Sequence, residues 1–197
     1  MTPLGIHAIL PLPEYEARRP QLQQAVLQVK RVRRVRLGPR MTLLFENRDT
    51  IRYQIQEMMR VERIVDPTKI QAEVEAYQHL LPRPDALAAT LLIEITAADD
   101  IRLALQQLQG IDHGDALYLE IGGERFPVAF ETGHSREDRL SAVHYLRFPL
   151  PPIAVARLRT EPARLVVDHP NYRAEAAVAP ELRAALLEDL KSAESNS

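Results

Sequence analysis

The chain has 197 residues and 25 basic against 27 acidic side chains, a formal net charge of −2. It contains no cysteine, which excludes disulfides, thiolate metal ligands and a thiol nucleophile. Its composition, 46% hydrophobic and 26% charged, is typical of a globular protein. No apolar run is long enough to span a bilayer and no charged leader precedes an apolar segment, so we expect a cytoplasmic protein.

The N-terminal part of the sequence predicts helices around one β-hairpin. Apolar residues recur at a helical period over residues 13–30, which predicts the first helix. Alternating residues on either side of Gly38 then predict two strands joined by a turn. Asn47 suits the N-cap of a second helix, and Asp66 before a proline is a typical start for a third. The last two helices are expected to form an αα-hairpin.

The rest of the sequence is richer in strands. Residues 89–95 are almost all apolar, which predicts a central strand buried on both faces. A short helix should end at Gly110, and alternation around Gly122-Gly123 predicts a hairpin whose second strand, with Pro127, lies at a sheet edge. Further strands are expected over residues 143–148, closing a meander that prolines end, and over residues 165–167. A helix should begin at Pro180, with a frayed tail over residues 191–197.

Helices and strands are segregated along the chain more than they alternate. This arrangement predicts an α+β fold with an antiparallel or mixed sheet, a helical N-terminal half and a C-terminal helix. We expect a single domain over residues 1–197, ordered from about residue 10 to residue 190.

Several segments are more specific than hydrophobic pattern alone. They read LLFENRDT (43–50), QIQEMMRVERI (54–64), LLIEIT (91–96), YLEIGGERFP (118–127), AVHYLRFPL (142–150) and VDHPNYR (167–173). Together they resemble a bacterial domain-of-unknown-function family, over residues 10–190. Genes of that family often stand beside those of rubrerythrin and of heterodisulfide-reductase-like iron–sulfur proteins. The resemblance therefore implies partners of these two kinds and a role in redox or peroxide defence by association alone, and it implies no catalytic residues.

The sequence contains no phosphate-binding loop, dinucleotide-binding glycine pattern, HExxH zinc motif, nucleophile elbow or EF-hand loop. The densest polar stretch opens the second predicted helix and continues along it, over residues 46–63. Local ion pairs at i,i+3 spacing explain part of it. Alternatively the helix start is an anion site in which Arg48 assists the backbone N–H groups. The candidate binding residues there are Arg48, Asp49, Glu57 and Arg60.

Two histidines lie in or next to predicted strands. His144 shares a strand face with Leu146 and therefore points inward, and His169 lies in a turn; both are either hydrogen-bonded structural residues or candidates for acid–base or metal chemistry. We expect the polar side chains after Phe45 and the imidazole of His144 to meet in one hollow. An interior pocket that binds a divalent cation or transfers protons would be drawn from Glu57, Glu94, Glu120, His144 and His169.

A polar loop before the strand at residue 143 supplies a second candidate metal site. Glu131, His134 and Glu137 are spaced by three residues, and their oxygen and nitrogen donors suit zinc, iron or manganese. The alternative is an ordinary solvated loop. A divalent transition metal is the one cofactor that this chain suggests.

Basic residues concentrate near the N-terminus, where residues 1–66 carry 12 basic and 7 acidic side chains. Arg33, Arg34 and Arg36 are candidates for docking an acidic partner surface, unless they belong to a solvated edge strand. Stacking aromatics are absent from this segment, which argues against nucleic-acid binding. Two functions stay open: an accessory or binding protein associated with redox proteins, and a metal-binding protein or metal-dependent enzyme with an interior Glu/His pocket.

Overall fold

The computed structural model describes residues 4–95, 105–112, 115–131 and 141–194. Its helices are α1 (Leu12–Arg33), α2 (Arg48–Glu62), α3 (Pro67–Gln78), α4 (Pro152–Thr160) and α5 (Pro180–Glu194). Its strands are β1 (Arg34–Leu37), β2 (Met41–Phe45), β3 (Ala86–Ile93), β4 (Leu117–Ile121), β5 (Glu124–Pro127), β6 (Ala129–Phe130), β7 (Val143–Pro149), β8 (Ala163–His169) and β9 (Tyr172–Ala177). No helix within these ranges is long and apolar enough to cross a membrane.

The strands form two antiparallel sheets. The first has the order β1-β2-β3-β7-β6 and the second has the order β5-β4-β8-β9. Strand β3 lies at the centre of the first sheet and is buried along almost its whole length, as its apolar sequence predicted. The prediction of an α+β fold with an antiparallel sheet, N-terminal helices and a C-terminal helix is confirmed.

The main hydrophobic core lies between the two sheets. Phe45 and Leu91 of the first sheet belong to the same buried cluster as Leu119 and Leu165 of the second, and α5 adds Leu186. A second cluster joins α2 and α3 to the N-terminal segment and to Tyr145 of β7. The first sheet is therefore covered on one face by the second sheet and on the other by helices.

Side-chain caps fix the starts of α2 and α3, as the sequence predicted. The Asn47 side chain accepts hydrogen bonds from the backbone N–H groups of Asp49 (3.1 Å) and Thr50 (3.0 Å), and the Thr50 hydroxyl accepts one from the Asn47 N–H (2.9 Å). The Asp66 carboxylate accepts from the N–H groups of the first turn of α3. These reciprocal bonds satisfy backbone donors that have no partner within the helix.

The predicted meander is wrong, because the strand expected after Gly123 divides at Val128. Its first half, β5, pairs with β4 at the edge of the second sheet, and its second half, β6, pairs with β7 in the first sheet. Pro127 ends β5, since proline has no N–H to donate to a ladder. The Val128 N–H instead bonds the Leu117 carbonyl at 3.1 Å, and the chain crosses between the sheets at this point.

Three other features differ from the sequence-based expectation. Helix α4 begins at Pro152, where prolines were expected only to end a strand; proline is favourable at the first position of a helix. Strand β9 was not predicted, because its alanines and glutamate have low strand propensity. Helix α5 continues to Glu194 with Ala193 buried, so residues 191–194 are not a frayed tail.

Candidate functional site

A cleft of about 250 Å³ runs between α1 and α2. The α1 wall is largely apolar, with Leu22, Val26 and Val29 at helical spacings that place them on one face. The α2 wall is polar, and the N-terminal segment closes one end. The residues that line the cleft are Ala8, Leu10, Tyr15, Arg18, Leu22, Ala25, Val26, Val29, Asp49, Arg52, Tyr53 and Gln56.

The cleft is open because most of the α1 surface is not covered by other elements. Only Tyr15, Val26 and Arg33 of its 22 residues are buried. Leu22 and Val29 are half-buried and Ala25 is exposed, although an apolar stripe on a helix is normally covered by its neighbour. Apolar surface on α1 is therefore open to solvent along the contact with α2.

A network of charged and phenolic groups joins α1 to α2 beside the cleft. The Tyr15 hydroxyl donates to Glu57 Oε1 at 2.6 Å, and Arg19 binds both carboxylate oxygens of Glu57 at 2.8 and 2.9 Å. Arg60 Nε lies 3.3 Å from the same carboxylate. Two guanidinium groups thus share one carboxylate, which leaves a surplus of positive charge at this end of the helix pair.

The protonation states of this network are fixed at neutral pH. The hydrogen bonds from Arg19 lower the pKa of Glu57 to about 2, against the effect of burial. Burial, reinforced by the hydrogen bond to Glu57, raises the pKa of Tyr15 far above its usual value. A general acid or base works best with a pKa near the operating pH. The Tyr15–Glu57 pair therefore suits a structural clamp between the helices and does not suit proton transfer.

A side-chain amide fixes the segment that closes the cleft. Gln56 accepts a hydrogen bond from the Leu10 N–H at 2.6 Å and donates one to the Leu10 carbonyl at 3.3 Å. Both polar groups of this buried side chain are thereby used. The bonds hold the N-terminal segment against α2.

The structure distributes the four predicted binding residues around this helix. Glu57 and Arg60 take part in the clamp, and their predicted i,i+3 pair forms. Asp49 lines the cleft and pairs with Arg52 at 3.2 Å, while Arg48 is an exposed residue at the first position of α2. Tyr15 is not among the predicted site residues, because its partner Glu57 lies 42 residues away and no local pattern indicates such a contact.

The hollow expected between the residues after Phe45 and His144 does not form. The Glu46 carboxylate accepts hydrogen bonds from the hydroxyls of Thr50 (2.5 Å) and Thr90 (2.7 Å). Thr90 lies on the same sheet face as Tyr145, which packs towards the helices. His144 pairs with the next residue of β3 and so faces the second sheet. Successive residues of a strand point to opposite faces, so that prediction is wrong.

The other side chains of the expected Glu/His pocket contact different parts of the molecule. Glu94 is exposed, and Glu120 pairs with Arg164 at 2.8 Å across β4 and β8. The Nε2 atom of His169 lies 3.2 Å from the carbonyl of Gln109. The Nε2 atom of His144 lies 2.8 Å from the carbonyl of Ser141, just before β7. The five side chains of that pocket therefore do not converge on one cavity.

Two of the three predicted metal ligands, His134 and Glu137, lie outside the described residues. Glu131 is described, and its carboxylate is 3.0 Å from His79 Nε2 and 3.9 Å from Arg147 Nε. In the part of the chain that the structure describes, no group of three metal-ligating side chains could hold an ion.

The three predicted docking arginines do not share one surface. Arg33, the last residue of α1, is buried against α5 and forms an ion pair with Asp189, so it is unavailable to a partner. Arg34 and Arg36 occupy the exposed positions of β1. Arg36 donates to the carbonyls of Gly38 and Pro39, at 3.3 and 3.2 Å.

Comparison with known proteins gives a family and a fold. A family model described as a protein of unknown function, DUF3501, matches residues 3–190. The chain is also similar to a crystal structure of a novel protein of unknown function from Burkholderia pseudomallei, with 36% identity and a TM-score of 0.87 over 95% of this chain and 99% of that one. No curated protein matches the sequence.

Proposed function

The chain belongs to the DUF3501 family, and from its own geometry we propose that it is a cytoplasmic accessory protein that binds an acidic surface of a partner protein. The observation that carries the proposal is a group of cations at the end of α1 and on β1. We call this group the basic ridge; it consists of Lys30, Arg31, Arg34 and Arg36.

The basic ridge lies in a long stretch of the chain that contains no acidic side chain. No aspartate or glutamate occurs between Glu16 and Glu46. Arg31 and Arg34 are exposed and form no ion pair with any residue that the structure describes. Because the whole chain carries a net charge of −2, this local excess creates a field that can steer an acidic partner.

The basic ridge is also held in place, which lowers the entropy lost on binding. The buried pair between Arg33 and Asp189 ties the end of α1 to α5. Strand β1 is hydrogen-bonded to β2 over its whole length, with Arg34 opposite Leu44 and Arg36 opposite Thr42. The exposed guanidinium groups therefore project from a fixed backbone.

We propose rubrerythrin-like or heterodisulfide-reductase-like iron–sulfur proteins as the partners. The support for this choice is the family resemblance, which implies a gene neighbourhood of that kind. Encounters between redox proteins use small interfaces, often below about 1,200 Å². Charge complementarity at an interface acts mainly on the rate and the specificity of the encounter.

Binding of the purified chain to each partner, measured by biolayer interferometry at low and moderate salt, tests the proposal. We expect the double variant Arg31→Ala/Arg34→Ala to weaken binding by about tenfold or more and to reduce its salt dependence. The matched control is Arg164→Ala/Arg173→Ala, which removes two exposed arginines from the second sheet. Equal losses in the two double variants, or no binding by the unmodified chain, would overturn the proposal.

A further inference from the structure

We infer that the cleft between α1 and α2 is a binding site for a small organic carboxylate with an apolar body. The cleft adjoins the basic ridge at Lys30, whose ammonium group lies 5.7 Å from the ring centroid of the cleft-lining Tyr53. The inference does not rest on the proposed partner, because the variants that test it leave the four ridge residues unchanged.

The apolar wall of the cleft suits the body of such a ligand. Leu22, Val26 and Val29 form a continuous stripe along α1, and Ala25 leaves space beside them. Ligand sites are typically concave, mostly apolar and equipped with a few polar groups that fix orientation. The α2 wall supplies the polar groups here, which are Tyr53 and the ion pair of Arg52 with Asp49.

The size of the cleft limits the ligand to a small molecule. A volume of about 250 Å³ lies below the range of roughly 300–1,000 Å³ that is usual for drug-sized ligands. Since one water takes about 30 Å³ in the liquid, the cleft accepts on the order of ten non-hydrogen atoms.

The polar groups at the closed end of the cleft are already occupied. The Tyr15 hydroxyl is bound to Glu57, and the Gln56 amide is bound to the Leu10 backbone. These groups have little capacity left for a ligand. The head group must therefore be recognised at the rim.

The rim carries two arginines that form only weak ion pairs. Arg18 and Arg52, one on each helix, pair with Glu14 (3.0 Å) and Asp49 (3.2 Å) on their own helices. All four side chains are between 44% and 54% exposed, and such surface pairs contribute little. A carboxylate between the two helices can replace these partners and accept charge-assisted hydrogen bonds from the guanidinium groups.

Isothermal titration calorimetry of the full chain tests the inference. The ligands are hexanoate and benzoate, with the corresponding neutral amides, hexanamide and benzamide, as controls. We expect at least one carboxylate to bind about tenfold or more tightly than its amide. In the variant Arg18→Gln/Arg52→Gln, its affinity should fall to that of the amide. Equal binding of acid and amide, or no binding of any of the four, would overturn it.

Filling the cleft provides a second, independent arm. Ala25→Leu places a larger side chain in the cleft and retains high helix propensity, so we expect it to abolish binding of the carboxylate. Ala17→Leu is the matched control, at an exposed position of α1 that does not line the cleft, and it should bind normally. Equal loss in both variants would contradict the assignment, while partner binding through the basic ridge should survive Ala25→Leu.

Discussion

Arg33 and Asp189 lie 156 residues apart in the sequence and form a buried, bidentate ion pair. Arg33 Nη1 is 2.5 Å from Asp189 Oδ2, and Nη2 is 2.9 Å from Oδ1. Both side chains are 8% exposed. Burial raises the pKa of Asp189, and the attraction of Arg33 opposes that rise. The pair joins the first and last helices of the chain beside the basic ridge.

Removal of one partner of this pair should destabilise the fold strongly. In Arg33→Met the carboxylate of Asp189 stays buried without a counter-charge, and we expect a loss of about 3–5 kcal/mol in the free energy of unfolding. Urea denaturation at neutral pH measures it. Replacement of both partners, in Arg33→Met/Asp189→Leu, should recover most of the loss.

The control for this prediction is Arg173→Met, which breaks an exposed pair with Asp168 at 3.0 Å. We expect that change to cost less than about 1 kcal/mol. A loss in Arg33→Met no larger than in Arg173→Met would show that the buried pair is not needed for stability.

The clamp between α1 and α2 should make stability depend on pH. The pKa of Glu57 falls from the ordinary 4.5 to about 2 in the folded chain. A carboxylate with a lowered pKa stabilises the fold above its unfolded pKa, and this contribution is lost as the pH falls from about 4.5 through about 2. Because Glu57 is 23% exposed, solvent screening reduces the contribution to about 1–2 kcal/mol.

Comparison of the unmodified chain with Glu57→Gln isolates this contribution from other carboxylates. We expect the difference in their free energies of unfolding to be largest near pH 7 and to shrink towards zero at about pH 2. A difference that stays constant between pH 7 and pH 2 would contradict the role of the ionised Glu57.

The parts of the fold that sequence predicted are those that local contacts determine. The cap at Asn47 needs only residues within one turn, and the Gly122-Gly123 hairpin needs only positive φ angles of 55° and 86° at its two glycines. The crossing of the chain from one sheet to the other at Val128 depends instead on which distant strand each half pairs with, β4 for β5 and β7 for β6. Hydrophobic alternation looks the same on both sides of that crossing.

The candidate site depends even more on distant contacts. The polar character of α2 was visible, and Glu57 and Arg60 were singled out from it, but their neighbours Tyr15 and Arg19 come from another helix. The burial of Arg33 was invisible for the same reason, since a basic tract reads as solvated until its acidic partner is known. Hydrophobic period predicts which face of a helix is buried, but not which charged residue at its end will be enclosed.

Thr90 should be more important to stability than its place in an apolar strand suggests. Its hydroxyl donates to the buried Glu46 carboxylate at 2.7 Å. In Thr90→Val the carboxylate loses one donor, and we expect a loss of about 1.5–3 kcal/mol, since hydrogen bonds to charged groups are among the stronger ones. Thermal unfolding measures the loss. The control is Thr42→Val, at a buried threonine that does not bond Glu46. Equal losses of stability in the two variants would contradict the prediction.

Gly38 and Tyr172 make a contact between the two sheets that a single methyl group should disturb. The Tyr172 hydroxyl donates to the Leu37 carbonyl at 2.5 Å and accepts from the Arg40 N–H at 3.1 Å. Gly38 has a φ of +66°, and a Cβ atom there would lie 2.5 Å from that hydroxyl. Gly38→Ala therefore combines backbone strain of about 1–2 kcal/mol with the loss of this link.

The matched control is Gly123→Ala, because Gly123 has a φ of +86° and a Cβ there would meet nothing within 4 Å. It should carry the backbone strain alone, so we expect Gly38→Ala to be less stable than Gly123→Ala by about 1 kcal/mol or more. In a Tyr172→Phe background the hydroxyl is already gone, and a Cβ at position 38 would still lie 3.1 Å from Ala174 Cβ and 3.3 Å from the ring carbon Cζ. The excess cost of Gly38→Ala over Gly123→Ala should therefore shrink in that background. An excess that keeps its full size in that background would contradict the role of the Tyr172 hydroxyl in linking the two sheets.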